Sequence, residues 1–226
     1  MVAIIDYDAG NIRSVENAMK ALGEEPRLTR DPGEILSADH VILPGVGAFG
    51  DAMDRIRSYG LDETIREVVR RGIPFLGICL GLQLLFDSSE ESPGVPGLGI
   101  LHGKVVRFRD DMPVEIHDGR EPGHQDDAPA AAGNDRYLKV PEIGWNALAY
   151  PNPGRLFLGI PEGSYVYFVH SYYLVADDRD IVTAQAQHGV MFDASVEKGN
   201  VFACQFHPEK SEKMGMQILR NFLDVN

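Results

Sequence analysis

With two cysteines, one tryptophan and no long apolar run in 226 residues, the chain is marked first by what it lacks. A secreted disulfide scaffold carries more cysteines in a shorter chain. Cys79 and Cys204 are therefore read as free thiols in a reducing cytoplasm. No stretch reaches the roughly 18–20 apolar residues that a membrane span needs. The opening Met1-Val2-Ala3-Ile4-Ile5-Asp6 has no basic region or cleavage signal and reads directly as a strand. Positive charge is scarce: 21 Lys and Arg against 34 Asp and Glu give a net charge of -13. That balance argues against sequence-independent nucleic-acid binding and against adsorption to an anionic membrane. His40, His102, His117, His124 and His188 show no ligand-like spacing with cysteine or carboxylates, so no metal and no cofactor is expected. No internal repeat is present.

What is there is an ordinary apolar fraction, 44%, enough for a large α/β core. The first third alternates short apolar runs with helical periodicity. Strands are predicted at residues 2–6, 26–29, 40–43 and 73–78. Helices are predicted at 11–22, at 51–71 with a break at Gly60, and at 80–86. That alternation indicates a mostly parallel sheet covered on both faces. Further strands are predicted at 104–108, 146–150, 165–169, 181–187 and 201–206. Their short links make this part of the sheet antiparallel. A last helix carries Met214, Ile218, Leu219, Phe222 and Leu223 on one stripe, with Ser211 as its N-cap. The expected fold is α/β: an open, mixed, mostly parallel central sheet flanked by helices, with added antiparallel strands in the C-terminal half. Residues 110–135 are acidic, rich in proline and alanine and free of aromatics. They read as a mobile surface insertion within one domain spanning 1–226.

Gly77-Ile78-Cys79-Leu80-Gly81 follows the apolar run at 73–76. A nucleophile between two glycines, after a buried strand and before an apolar helix, is the pattern of a strand–turn–helix elbow. The helix N-terminus there favours thiolate. Cys204, inside a strand with no turn, reads as core. His207-Pro208-Glu209 closes that strand. Side chains two apart share a side of an extended chain, so His207 can act as base while Glu209 orients it. Pro44-Gly45-Val46-Gly47 can turn backbone N–H groups toward a developing oxyanion, and the N–H of Leu80 is the second expected donor. No Gly-Lys-Ser/Thr follows that turn, which sets aside a phosphate loop.

The elbow with Gln83, the Pro44–Gly47 turn, and Phe206-His207-Pro208-Glu209-Lys210 together resemble the class I glutamine amidotransferases. The resemblance covers nearly the whole chain outside the acidic insertion. It implies hydrolysis of the glutamine side-chain amide through a γ-glutamyl thioester on Cys79, with the ammonia passed to a synthase. Asp6-Tyr7-Asp8-Ala9-Gly10-Asn11, Val140-Pro141-Glu142-Ile143-Gly144-Trp145-Asn146 and Phe168-Val169-His170-Ser171-Tyr172-Tyr173 are similar to one branch. Its members are glutaminase subunits that form a heterodimer with a cyclase subunit making imidazole glycerol phosphate and AICAR in histidine biosynthesis. The resemblance implies that Gln83 and the backbone of His170, Ser171 and Tyr172 hold the glutamine. It places Asn11, Trp145, Tyr167 and Lys210 near the partner and the ammonia passage. Read without it, Trp145 and Tyr167 serve equally as core aromatics and His170 as a structural histidine. Glu142 departs from the branch pattern, which has histidine there. Other amidotransferase subunits, of the anthranilate, aminodeoxychorismate or pyridoxal phosphate synthase type, are the nearest alternative. A free-standing Cys-His hydrolase of γ-glutamyl bonds and a non-catalytic scaffold are more distant ones.

Overall fold

The computed structural model describes residues 1–109 and 138–225. The insertion expected at 110–135 lies outside the described residues. In chain order the elements are β1 (Val2–Ile5), α1 (Ile12–Ala21), β2 (Pro26–Thr29), α2 (Pro32–Leu36), β3 (His40–Leu43), α3 (Phe49–Ser58), α4 (Leu61–Arg70), β4 (Phe75–Ile78) and α5 (Leu80–Leu84). There follow β5 (Ser88–Ser89), β6 (Gly103–Arg107), β7 (Glu142–Ala147), β8 (Tyr165–His170), β9 (Tyr172–Ala176), β10 (Val182–His188), β11 (Val190–Lys198), β12 (Val201–Cys204) and α6 (Glu212–Leu223). No helix among the described residues is long and apolar enough to cross a membrane.

The main sheet runs β2-β1-β3-β4-β12-β11-β9-β6-β5, with β10 on β11. From β2 to β12 the strands are parallel; β12, β11, β9 and β6 alternate direction. The mixed architecture is the one expected. Strands β1, β4 and β12 are buried at every position, because helices cover both faces of a parallel sheet. Helix α1 buries Ile12, Val15, Ala18 and Met19, the helical spacing of its apolar stripe. β7 and β8 form a separate antiparallel ribbon in which Glu142 pairs His170 and Trp145 pairs Tyr167.

Several elements differ from the sequence reading. The strand expected at 146–150 starts four residues earlier, as β7. Strands β9 and β11 were not expected. β11 carries Asp193 and Ser195 at buried positions, 3% and 0% exposed, and these interrupt its apolar alternation. Both are satisfied inside the fold. Asp193 accepts from Arg179, Gln185 and the Ala176 N–H, while Ser195 donates to the Ala203 carbonyl. Ser211 does not cap α6 with its side chain. Its hydroxyl donates to the His207 carbonyl at 2.6 Å and accepts from the Tyr167 N–H at 2.9 Å. It ties the β7–β8 ribbon to the segment that follows β12.

Candidate active site

Cys79 stands between β4 and α5 with φ 54° and ψ -108°. A non-glycine residue held at positive φ is strained, and the surroundings must enforce it. Here the Cys79 N–H donates to the Cys204 carbonyl at 2.8 Å. The helix behind it is pressed onto β3: a Cβ on Gly81 would lie 2.0 Å from the Leu43 carbonyl oxygen. Only glycine permits that approach, so the second glycine of the elbow has a packing reason.

The parallel pairing of β12 with β4, Cys204 beside Ile78, sends the chain after β12 past the elbow. His207 is 1% exposed. Its Nδ1 lies 2.8 Å from Glu209 Oε1. Residues 208–210 form a 3-10 turn rather than the extended link expected, and the Glu209 carboxylate folds back onto the ring. Nδ1 faces a carboxylate, so it carries a hydrogen. Nε2 has no aligned hydrogen-bond partner among the described residues. Burial alone would favour the neutral ring, but interactions with Cys79 and Glu209 outweigh it and raise the pKa from 6.5 to about 10. The imidazole is held as imidazolium at neutral pH, between a sulfur and a carboxylate.

A cavity of about 270 Å³ opens beside Cys79, just below the usual range of ligand pockets (roughly 300–1,000 Å³) and of a size for a small substrate. Val46, Gly47, Leu80 and Gln83 line one side; Val169, His170, Ser171 and Tyr172 line the other. Gln83 donates from Nε2 to the Tyr172 carbonyl at 3.1 Å and to Gln205 Oε1 at 3.0 Å. Its own Oε1 is the end left for a ligand.

The turn expected to supply oxyanion donors is posed differently. The Leu80 N–H donates to the Gly45 carbonyl at 3.4 Å, so it is engaged rather than turned to the cavity. Gly45 is packed too tightly for a side chain, since a Cβ would lie 2.4 Å from the Tyr7 hydroxyl. That hydroxyl donates to the Pro44 carbonyl at 2.8 Å. Burial and the neighbouring Cys79 hold the Tyr7 pKa well above the ordinary range, so it stays a donor.

Asn11, which the resemblance places near a partner, donates to Glu209 Oε1 at 2.7 Å. Trp145 is 46% exposed and no core aromatic. It meets Tyr167 edge-on at 6.1 Å, and Lys210 Nζ lies 5.9 Å from the centre of the Tyr167 ring. Glu142 is buried against His170 rather than turned outward. Cys204 is fully buried, and burial pushes its thiol pKa up, as befits a core position.

Two residues escaped the sequence reading. Gln205, 0% exposed, reaches from Nε2 to the Cys79 sulfur at 3.6 Å. A lone polar residue in the apolar run before His207 was the available signal. Glu91 lines the cavity and accepts from the Phe49 N–H at 2.7 Å. It puts a carboxylate on the cavity wall, and no local pattern marks it.

A family model described as "Glutamine amidotransferase class-I" matches residues 3–225. The chain is 48% identical over 221 residues to "Imidazole glycerol phosphate synthase subunit HisH" of Moorella thermoacetica, covering 98% of this chain and 93% of that one. The proteins of the same name from Syntrophotalea carbinolica and Methanocaldococcus jannaschii are 46% and 42% identical, each match covering 100% of both chains. Among solved structures, "Structure of PurLQS from Thermotoga maritima" matches with a TM-score of 0.69 at 21% identity, over 99% of this chain and 97% of that one. "Crystal structure of glutamine amidotransferase" matches with a TM-score of 0.67 at 22% identity, over 99% and 98%. At these identities the two structures speak for the fold alone.

Proposed function

The chain belongs to the class-I glutamine amidotransferase family, and on that premise we propose that it is the glutaminase subunit of an imidazole glycerol phosphate synthase. The observation that carries this reading is end-to-end identity of 40–48% with relatives of that name, together with a cysteine and a Glu-paired histidine at one small pocket.

The mechanism follows from the charges. Glutamine enters the cavity, its ammonium toward Glu91 and its carboxamide toward Cys79. The thiolate attacks the carboxamide carbon, and the carbonyl oxygen takes up negative charge. His207, held as imidazolium, gives its proton to the departing nitrogen, so the C–N bond breaks and ammonia leaves. A γ-glutamyl thioester remains. The now neutral His207 takes a proton from water, which cleaves the thioester to glutamate and restores the thiolate. Glu209 keeps the ring oriented throughout.

The ammonia passes to a cyclase subunit that makes imidazole glycerol phosphate and AICAR, within a heterodimer. Trp145, Tyr167 and Lys210 form the face that meets it. Replacing Cys79 by Ala abolishes glutamine-dependent synthesis by the mixed subunits and leaves synthesis from added ammonium salt intact. Glutaminase turnover persisting in Cys79→Ala would overturn the assignment.

A further inference from the structure

Behind the pocket wall lies a buried polar cluster that the mechanism above does not use. Glu142 and His170, 5% and 7% exposed, are cross-strand partners at the end of the β7–β8 ribbon. The His170 Nδ1 lies 2.8 Å from the Tyr172 carbonyl oxygen. A carbonyl has no hydrogen to give, so Nδ1 donates. The other nitrogen, Nε2, lies 3.0 Å from Glu142 Oε2, close but not aligned as a hydrogen bond, and neither atom has a hydrogen-bond partner among the described residues. A bare nitrogen facing an ionised carboxylate at that distance would set lone pair against lone pair. A hydrogen between the two relieves that clash, so each group is the other's buried polar partner.

The rest of the surroundings agree. Glu142 Oε1 accepts from Asn146 Nδ2 at 2.8 Å, and His188 Nδ1 lies 4.0 Å away. His188 is turned by its Nε2 to the Lys139 carbonyl at 3.1 Å. Phe108, Phe168 and Phe192 surround the His170 ring at 5.2–5.5 Å between centroids. Walls of that kind strengthen a charge interaction and penalise an unpaired polar atom.

The Tyr172 carbonyl is the joint between this cluster and the pocket. It accepts from His170 Nδ1 and from Gln83 Nε2. Only Ser171 separates β8 from β9 at this point, and residues 169–172 form one wall of the cavity. We propose that Glu142 is a positioning residue of the glutamine pocket: paired with His170, it fixes the ring that anchors the Tyr172 carbonyl and so sets the wall on which glutamine binds. This role rests on the glutaminase reading above.

The test uses the full chain and two reagents. 6-Diazo-5-oxo-L-norleucine, a glutamine analogue, must occupy the pocket before alkylating Cys79; iodoacetamide need not. In Glu142→Leu the analogue's half-saturating concentration rises about tenfold, because a buried nitrogen loses its partner. The iodoacetamide rate stays close to that of the unsubstituted chain. Glu142→Gln, which keeps a polar partner for the ring, restores most of the analogue's affinity. A half-saturating concentration unchanged in Glu142→Leu overturns the proposal, as does a lowered unfolding temperature with no change in affinity. If Glu142→Leu does not fold, the ring nitrogens of His170 decide the matter by NMR. The Nε2 resonance of the unsubstituted chain, set by the carboxylate beside it, moves in Glu142→Gln; a resonance that is the same in both chains overturns the proposal. An unsubstituted chain that the analogue fails to inactivate overturns the glutaminase reading instead, and the ring spectrum, which needs no ligand, still reports on the pair.

Discussion

Asn11 and His207 share one acceptor: Glu209 Oε1 takes hydrogen bonds from Asn11 Nδ2 at 2.7 Å and from His207 Nδ1 at 2.8 Å. The carboxylate is therefore held from the far end of the chain, by a residue in the left-handed region at φ 65°, which asparagine tolerates better than most. A hydrogen bond to a charged group contributes about 1.5 kcal/mol, so Asn11→Ala lowers kcat for glutamine hydrolysis about tenfold and leaves KM nearly unchanged. Asn11→Asp is worse, since it sets a second carboxylate against Glu209. Steady-state glutaminase kinetics check both, and an effect confined to KM would show that Asn11 acts on binding instead.

The second prediction concerns the oxyanion turn. The Gly45 carbonyl and the Val46 N–H belong to one planar peptide and point in opposite directions within it. With the carbonyl on the Leu80 N–H at 3.4 Å, the Val46 N–H faces away from that donor. Rotating the peptide frees Leu80 and brings the Val46 N–H around. A pocket posed this way hydrolyses glutamine slowly, and a partner that stabilises the rotated peptide speeds it. The glutaminase rate of the isolated chain is expected to be well below that of the complex with cyclase and its nucleotide ligand. Equal rates would remove the switch.

Much of this site was legible because its parts are local. The elbow is spelled within five residues, and the apolar runs of β4 and β12 report burial on both faces of a parallel sheet. The carboxylate beside His207 is likewise two residues away. What was not legible is non-local or polar. Gln205 reads as an interruption of an apolar strand until β12 is set beside β4. Ser211 looks like a helix cap until its hydroxyl is seen joining Tyr167 to His207. β11 was hidden by Asp193 and Ser195, whose partners come from other segments. Glu142 reads as a surface departure until its cross-strand partner is known to be His170.

The exposed face of the β7–β8 ribbon carries the next prediction. Ile143, Trp145 and Tyr165 are 63%, 46% and 59% exposed, an apolar face that ends at Val169 on the pocket rim. The Tyr167 carbonyl on this ribbon accepts the His207 N–H at 2.9 Å. Aromatic anchors at interfaces cost about 2 kcal/mol when truncated, so Trp145→Ala weakens binding of the cyclase subunit by roughly thirtyfold. Half-exposed, it contributes little to the fold, and the unfolding temperature of the isolated chain stays put. Titration calorimetry against thermal unfolding separates the two, and a variant that binds normally would place the interface elsewhere.

The last prediction concerns His207 and its proton. The ring's pKa is about 10 in the folded chain, against 6.5 for an unperturbed histidine, the value the unfolded chain takes. The folded state holds this proton more tightly than the unfolded one, so the pairing stabilises the fold fully below pH 6.5. That contribution is lost as pH rises through about 10. His207→Gln has nothing to titrate there, so the stability of the unsubstituted chain relative to this variant is greatest at low pH. The difference shrinks across the window from 6.5 to 10 and then levels. Urea midpoints of both chains measured across that window check it, because groups common to the two largely cancel. A difference independent of pH would mean that the ring is neutral when folded. The same proton would then be missing when ammonia departs, and the imidazolium step of the mechanism would fail with it.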